Sequence, residues 1–161
     1  MATQPESLCF ADAPPIAADV ARGVTRLFCR QDLFAICEMP LPNGRRADLM
    51  AIDSKGGLTI VEIKVAKADL TGDGKWTDYL EYCDRFFWAV PPPLAHILEE
   101  ERYLPGDAGL IVADRYDAAV VRQAADRPLA PARRKAELLR FARRAARRLS
   151  AQIDPSLGEA S

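Results

Sequence analysis

The chain has 161 residues, 22 Lys or Arg against 23 Asp or Glu, one histidine and four cysteines, with 49% of its residues apolar. That balance suits a single domain with a real core, and no apolar run approaches the roughly 20 residues of a membrane span, so a helical membrane protein is excluded and the cytoplasm is expected. One histidine excludes His-rich zinc centres, and cysteines at 9, 29, 37 and 83 show neither C-x-x-C spacing nor a disulfide framework, so reduced thiols are expected, with Cys29 and Cys37 as small core residues.

Residues 1–13 are polar and aperiodic and are expected to be a tail ahead of a domain over 14–128. Pro14 and Pro15 suit a helix start, and Ile16, Val20, Val24, Leu27 and Phe28 then recur at helical spacing. Leu33 to Met39 alternates as a strand, and Pro40 to Gly44 reads as a turn that would pair Glu38 with Arg46 and Ile36 with Asp48.

Arg45 to Ile52 and Leu58 to Val65 alternate as two strands around the loop Asp53 to Gly57. In that register Ile52 faces Leu58, Met50 faces Ile60 and Asp48 faces Glu62. Cross-strand Cβ atoms lie about 4.5–5.5 Å apart, where like charges destabilise a sheet. Two opposed carboxylates therefore call for compensation, and a divalent cation with oxygen ligands supplies it. Lys64 shares the face of Glu62, two residues on.

Lys67 to Lys75 reads as a loop, Trp76 to Cys83 as a helix and Asp84 to Val90 as a buried strand stopped by Pro91 to Pro93. A short helix over Leu94 to Glu100 and strands over Ala108 to Ala113 and Ala118 to Gln123 follow. The last helix runs from about Pro131 to Ile153, packed on the domain and followed by a loose tail. Leu138, Phe141, Ala142, Ala145 and Leu149 project to one side of it, for packing, and Arg140, Arg143, Arg144, Arg147 and Arg148 to the other. Residues 131–149 carry a balance of +7, which leaves −8 for the remainder, and a basic arm on an acidic body suits a phosphate backbone. The helix, three strands, helix, strand order predicts an α/β fold with a mixed central sheet flanked by helices.

Asp48 and Glu62-Ile63-Lys64 resemble the motif of the PD-(D/E)xK nuclease superfamily, although Ala47 stands where that motif has proline. The resemblance implies a restriction-endonuclease-like α-β-β-β-α-β core, a Mg²⁺ or Mn²⁺ ion held by Asp48, Glu62 and the Ile63 carbonyl, and Lys64 as the cation that orients or activates the attacking water. A longer set, including Glu38, Leu41 to Asp48, Val61 to Lys64, Asp69, Lys75-Trp76, Tyr79, Cys83-Asp84 and Phe87 to Val90, is similar to the bacterial MmcB family of DNA repair proteins. It implies a DNA nuclease acting on damaged or branched DNA.

Glu38 is either the partner of Arg46 or an additional ligand, whereas Asp69 and Asp73 read as turn residues. Lys75 and Tyr79, opening the helix that faces such sites, are candidates for the backbone contact, with Arg46 and the arginines at 140, 143, 144 and 147. Two other classes stay open: a non-catalytic DNA-binding scaffold beside other repair proteins, and a hydrolase of smaller phosphoesters whose basic helix serves a protein partner. The chain could act as monomer or homodimer.

Overall fold

The computed structural model describes residues 14–158, so the tail expected over 1–13 lies outside the described residues. Helix α1 (Ala17–Arg30) starts where the Asp19 carboxylate accepts the Ile16 backbone N–H at 3.0 Å, and it buries Val20, Val24, Leu27 and Phe28 at the expected period. Six strands follow: β1 (Phe34–Pro40), β2 (Arg46–Ile52), β3 (Leu58–Ile63), β4 (Arg85–Val90), β5 (Gly109–Ala113) and β6 (Ala118–Arg122). They form one sheet in chain order. The pairs β1/β2, β2/β3 and β5/β6 are antiparallel, while β3/β4 and β4/β5 are parallel. The sheet is thus mixed and flanked by helices, as expected.

The crossovers differ from expectation in detail. The loop over 67–75 contains a one-turn helix, α2 (Lys67–Thr71), and the expected helix over 76–83 is a 3₁₀ segment, Trp76–Tyr82. The helix expected from Leu94 begins earlier, as a 3₁₀ segment Pro92–Glu99, because proline suits the first helical position, where the missing N–H costs nothing.

Register is as expected between β2 and β3, with Ile52 opposite Leu58 and Met50 opposite Ile60. Between β1 and β2 it is offset by two residues. Ile36 faces Met50 and Pro40 faces Arg46, so the loop spans 41–45. Leu41 explains the offset: it is 6% exposed, and its N–H donates to the Arg45 carbonyl at 2.8 Å, so burying this side chain carries the turn beyond Pro40. Glu38 takes a left-handed backbone (φ 53°) and drops out of the ladder between Cys37 and Met39.

Each face of the sheet holds a core. On one, α1 covers Leu49, Ala51, Val61, Phe87, Ala89 and Ile111. Gly23 allows this approach, since a Cβ there would meet the Asp117 carbonyl oxygen at 2.9 Å. On the other, Met50, Leu58, Ile60, Phe86, Trp88 and Leu110 pack against Trp76, Tyr79, Tyr103, Leu98 and Phe141. Contrary to the sequence reading, Cys29 and Cys37 are exposed, on the last turn of α1 and on the edge strand β1; Cys83 is buried. The segment after α3 (Pro131–Ile153) forms a 3₁₀ turn, Pro155–Gly158, where a loose tail was expected. No helix among the described residues is long and apolar enough to cross a membrane.

Helix α3 is fixed to the sheet through Asp84, which is 6% exposed. Its carboxylate accepts the backbone N–H groups of Leu58 and Leu129 at 2.8 Å and two guanidinium N–H groups of Arg134 at 2.5 and 2.8 Å. Burial alone would raise this carboxyl, but Arg134 and the two backbone donors outweigh it and hold it below its ordinary value. Asp84→Ala should cost about 3–5 kcal/mol in urea unfolding, since it strands a guanidinium and two amides. The depressed carboxyl contributes stability above its unfolded pKa near 3.9 and loses it as pH falls through the lower folded value. The unfolding free energy should therefore drop below about pH 4 in the wild type, and less so in Asp84→Asn.

Candidate active site

Asp48 and Glu62 meet where the β2/β3 ladder ends. The Asp48 N–H donates to Glu62 Oε1 at 3.1 Å, and the Ile63 N–H donates to Asp48 Oδ2 at 2.8 Å. Each carboxylate is thus fixed by the backbone of the opposite strand, which leaves one oxygen on each for a cation or a shared proton. Glu62 is 4% exposed. Burial, then the charge of Asp48, pushes its carboxyl up to about 8; burial also raises Asp48, against the N–H of Ile63 and the charge of Lys64.

The pair lies at the base of an open cleft of about 550 Å³, lined also by Arg45, Arg46, Ile63, Lys64, Asp73 and Tyr79. Lys64 Nζ is 3.1 Å from Asp73 Oδ2, both side chains being about 15% exposed or less. Asp73, read from the sequence as a turn residue, is therefore part of the site. Asp69 also lines the cleft.

Arg45 is held by Asp78 at 3.0 Å and lies over the Tyr79 ring. The Tyr79 hydroxyl donates to the Arg46 carbonyl at 3.2 Å, and burial together with the charge of Glu62 pushes it up to about 12. Arg46 pairs with Glu38 at 3.7 Å, both exposed, so the expected ion pair forms even though the expected register does not. Glu38 does not line the cleft. Lys75 is exposed and also outside it, with its backbone N–H 3.4 Å from Asp73 Oδ1.

The α3 arginines are elsewhere. Arg140, Arg143, Arg144 and Arg147 line a separate groove of about 920 Å³ against Met39, Pro40 and Leu41. Glu38 stands between the two, its carboxylate on Arg46 and its carbonyl accepting the Arg148 guanidinium at 3.0 Å. The packing stripe of α3 is rotated from expectation: Phe141 and Glu137 are buried, whereas Ala142 and Leu149 are exposed. Two polar ties, Arg134 to Asp84 and Arg148 to Glu38, set that phase.

Residues 5–156 match the model of the family described as DNA repair protein MmcB-like. The chain belongs to that family. Among solved structures it is similar to a protein of unknown function from Silicibacter pomeroyi, 42% identical, with a TM-score of 0.79 over 90% of this chain and 95% of that one. No curated protein matches the chain.

The donor set of this MmcB-like chain suits a hard cation, since two desolvated carboxylates and the backbone at Ile63 offer oxygen. Among the described residues no group of three or more His, Cys, Asp or Glu side chains is gathered for a metal, so the main chain and water would have to complete the shell. Without a cation the pair is costly, because a buried acid is kept beside a second one. Glu62→Gln, which retains the shape and removes the charge, should stabilise the metal-free protein by roughly 1–3 kcal/mol at neutral pH, measured by chemical denaturation in EDTA.

Proposed function

We propose that the chain is a metal-dependent nuclease that hydrolyses phosphodiester bonds in damaged or branched DNA during repair. The observation that carries this reading is the convergence of Asp48 and Glu62 across β2/β3, with Lys64 projecting into the same cleft. Family membership supports the repair context.

Asp48, Glu62 and the Ile63 carbonyl would hold Mg²⁺ or Mn²⁺. When bound, such an ion supplies charge stabilisation at the non-bridging oxygens and a more acidic water. Lys64 orients the attacking water by donating to it. Asp73 holds that ammonium in place at 3.1 Å until the phosphate arrives. Arg46 on the cleft rim gives up its exposed contact with Glu38 to pair with a backbone phosphate, an exchange that costs little because a surface ion pair is worth ~1 kcal/mol or less. Tyr79 buttresses the Arg46 backbone. Exposed Lys75, at the end of the Asp73 loop, meets the flanking strand.

A second reading, a DNA-binding scaffold without catalysis, draws on the same Lys64–Asp73 pair, which engages the amine that a nuclease would need. One assay separates them. Labelled DNA in single-stranded, duplex and branched forms should be cut by the purified protein with Mn²⁺, and Glu62→Ala or Lys64→Ala should slow cutting by about 10²-fold or more. Tight DNA binding without cutting, and without Mn²⁺ uptake in calorimetry, would establish the scaffold instead.

A further inference from the structure

Helix α3 carries a second apolar stripe that no other element among the described residues covers. Leu139, Ala142, Ala146, Leu149 and Ile153 are spaced three and four residues apart, the pattern of a helix seam. All five are exposed, with Leu139 at 61%, Leu149 at 62% and Ile153 at 88%. Projected at 100° per residue they fall within about 80°, on the side of the helix not used by Phe141. Exposed leucines taken singly are ordinary, but an aligned row marks an interaction surface.

Charge is arranged to one side of that stripe. Arg143, Arg147, Arg140 and Arg144 follow it around the helix and line the groove against Met39 to Leu41. Arg143 and Arg147 have no acidic partner among the described residues, and Arg144 Nε is buried without an acceptor. A phosphate backbone would satisfy these cations but would leave the stripe uncovered. A second copy of α3 would cover the stripe but not the cations, since the one acid on this helix is Glu137, which is fully buried beneath Arg133 and Arg140.

We propose that this face of α3 docks an acidic amphipathic helix of a protein partner, with apolar side chains on the Leu139–Ile153 stripe and carboxylates on the adjoining arginines. Such a helix lies alongside α3 over about 21 Å, the rise from residue 139 to residue 153. Buried anchors provide its affinity, and guanidinium–carboxylate pairs fix which way it lies. The surface is separate from the acidic cleft, so docking does not depend on whether that cleft cuts DNA.

A dye-labelled synthetic peptide of about 20 residues, with leucines at helical spacing and glutamates along one flank, tests this against a peptide of the same composition in scrambled order. Fluorescence anisotropy with the full chain should show the patterned peptide bound at least about tenfold tighter than the scramble. Replacing Leu139, Leu149 and Ile153 together by Gln should erase that preference, and Arg143→Glu with Arg147→Glu should remove binding. All five positions are exposed or solvent-facing, and circular dichroism verifies the fold of each variant. Equal binding of the two peptides overturns the proposal. Given that result, a DNA oligonucleotide weakened by the arginine variants alone would assign the groove to nucleic acid, and phosphatidylglycerol vesicles weakened by the glutamine variant would assign the stripe to a lipid surface.

Discussion

Two carboxylates held face to face by the backbone of each other's strand are the constraint on which the site depends. Like charges across a ladder would ordinarily push two strands apart. Here each acid accepts an N–H from the opposite strand, so the contact that brings the charges together also closes the end of the β2/β3 hairpin. Beneath them the sheet is closely packed. Met50 and Ile60 continue the same face into a core of aromatic side chains, with Trp88 beside Glu62 on the neighbouring parallel strand. A platform of that kind keeps the acids from relaxing away from each other, and the cost remains as the raised carboxyl of Glu62.

The cations around this pair are held in reserve rather than spent on it. Lys64 is joined to Asp73, Arg46 to Glu38 and Arg45 to Asp78. None of the three forms an ion pair with Asp48 or Glu62. An arrangement intended to neutralise the acids would have placed an arginine between them, since a bidentate guanidinium is the strongest partner a carboxylate has. These secondary acids instead keep each cation at the cleft wall, and the proposed metal site stays free of them.

How much of this was legible in the sequence depended on the range of the interaction that decided it. The β2/β3 hairpin was readable because alternation and the loop from Asp53 to Gly57 fix its register locally, and Gly56 takes the positive φ that the turn requires. The β1/β2 hairpin was not: Pro40 to Gly44 carries every turn signal, yet burial of Leu41, a tertiary event, moves the pairing by two residues. Asp73 was hidden for a similar reason. It reaches Lys64 across nine residues, through α2 and a glycine-flanked loop whose path composition does not specify. Residue type alone places Cys29 and Cys37 in the core, but one lies on the last turn of a helix and the other on an edge strand.

The arginines of α3 look equivalent in the sequence and are not. Arg134, Phe141 and Arg148 recur every seven residues, two helical turns, and so face the sheet together: Arg134 on Asp84, Phe141 in the core, Arg148 on the Glu38 carbonyl. That triplet sets the rotation of the helix. Turning it by one residue, about 100°, would move Leu149 or Ile153 toward the sheet, a gain of about 1.5–3 kcal/mol for each side chain buried. It would also break the Asp84–Arg134 contact, a loss of about 3–5 kcal/mol before the Glu38 tie is counted. The same turn would expose Phe141, so this buried ring and the two polar anchors together keep the outward stripe in solvent. A helix whose rotation is set by two arginine ties and one buried ring keeps its remaining apolar residues to offer elsewhere, and in this chain they lie next to a row of guanidinium groups with few carboxylates of its own to meet them.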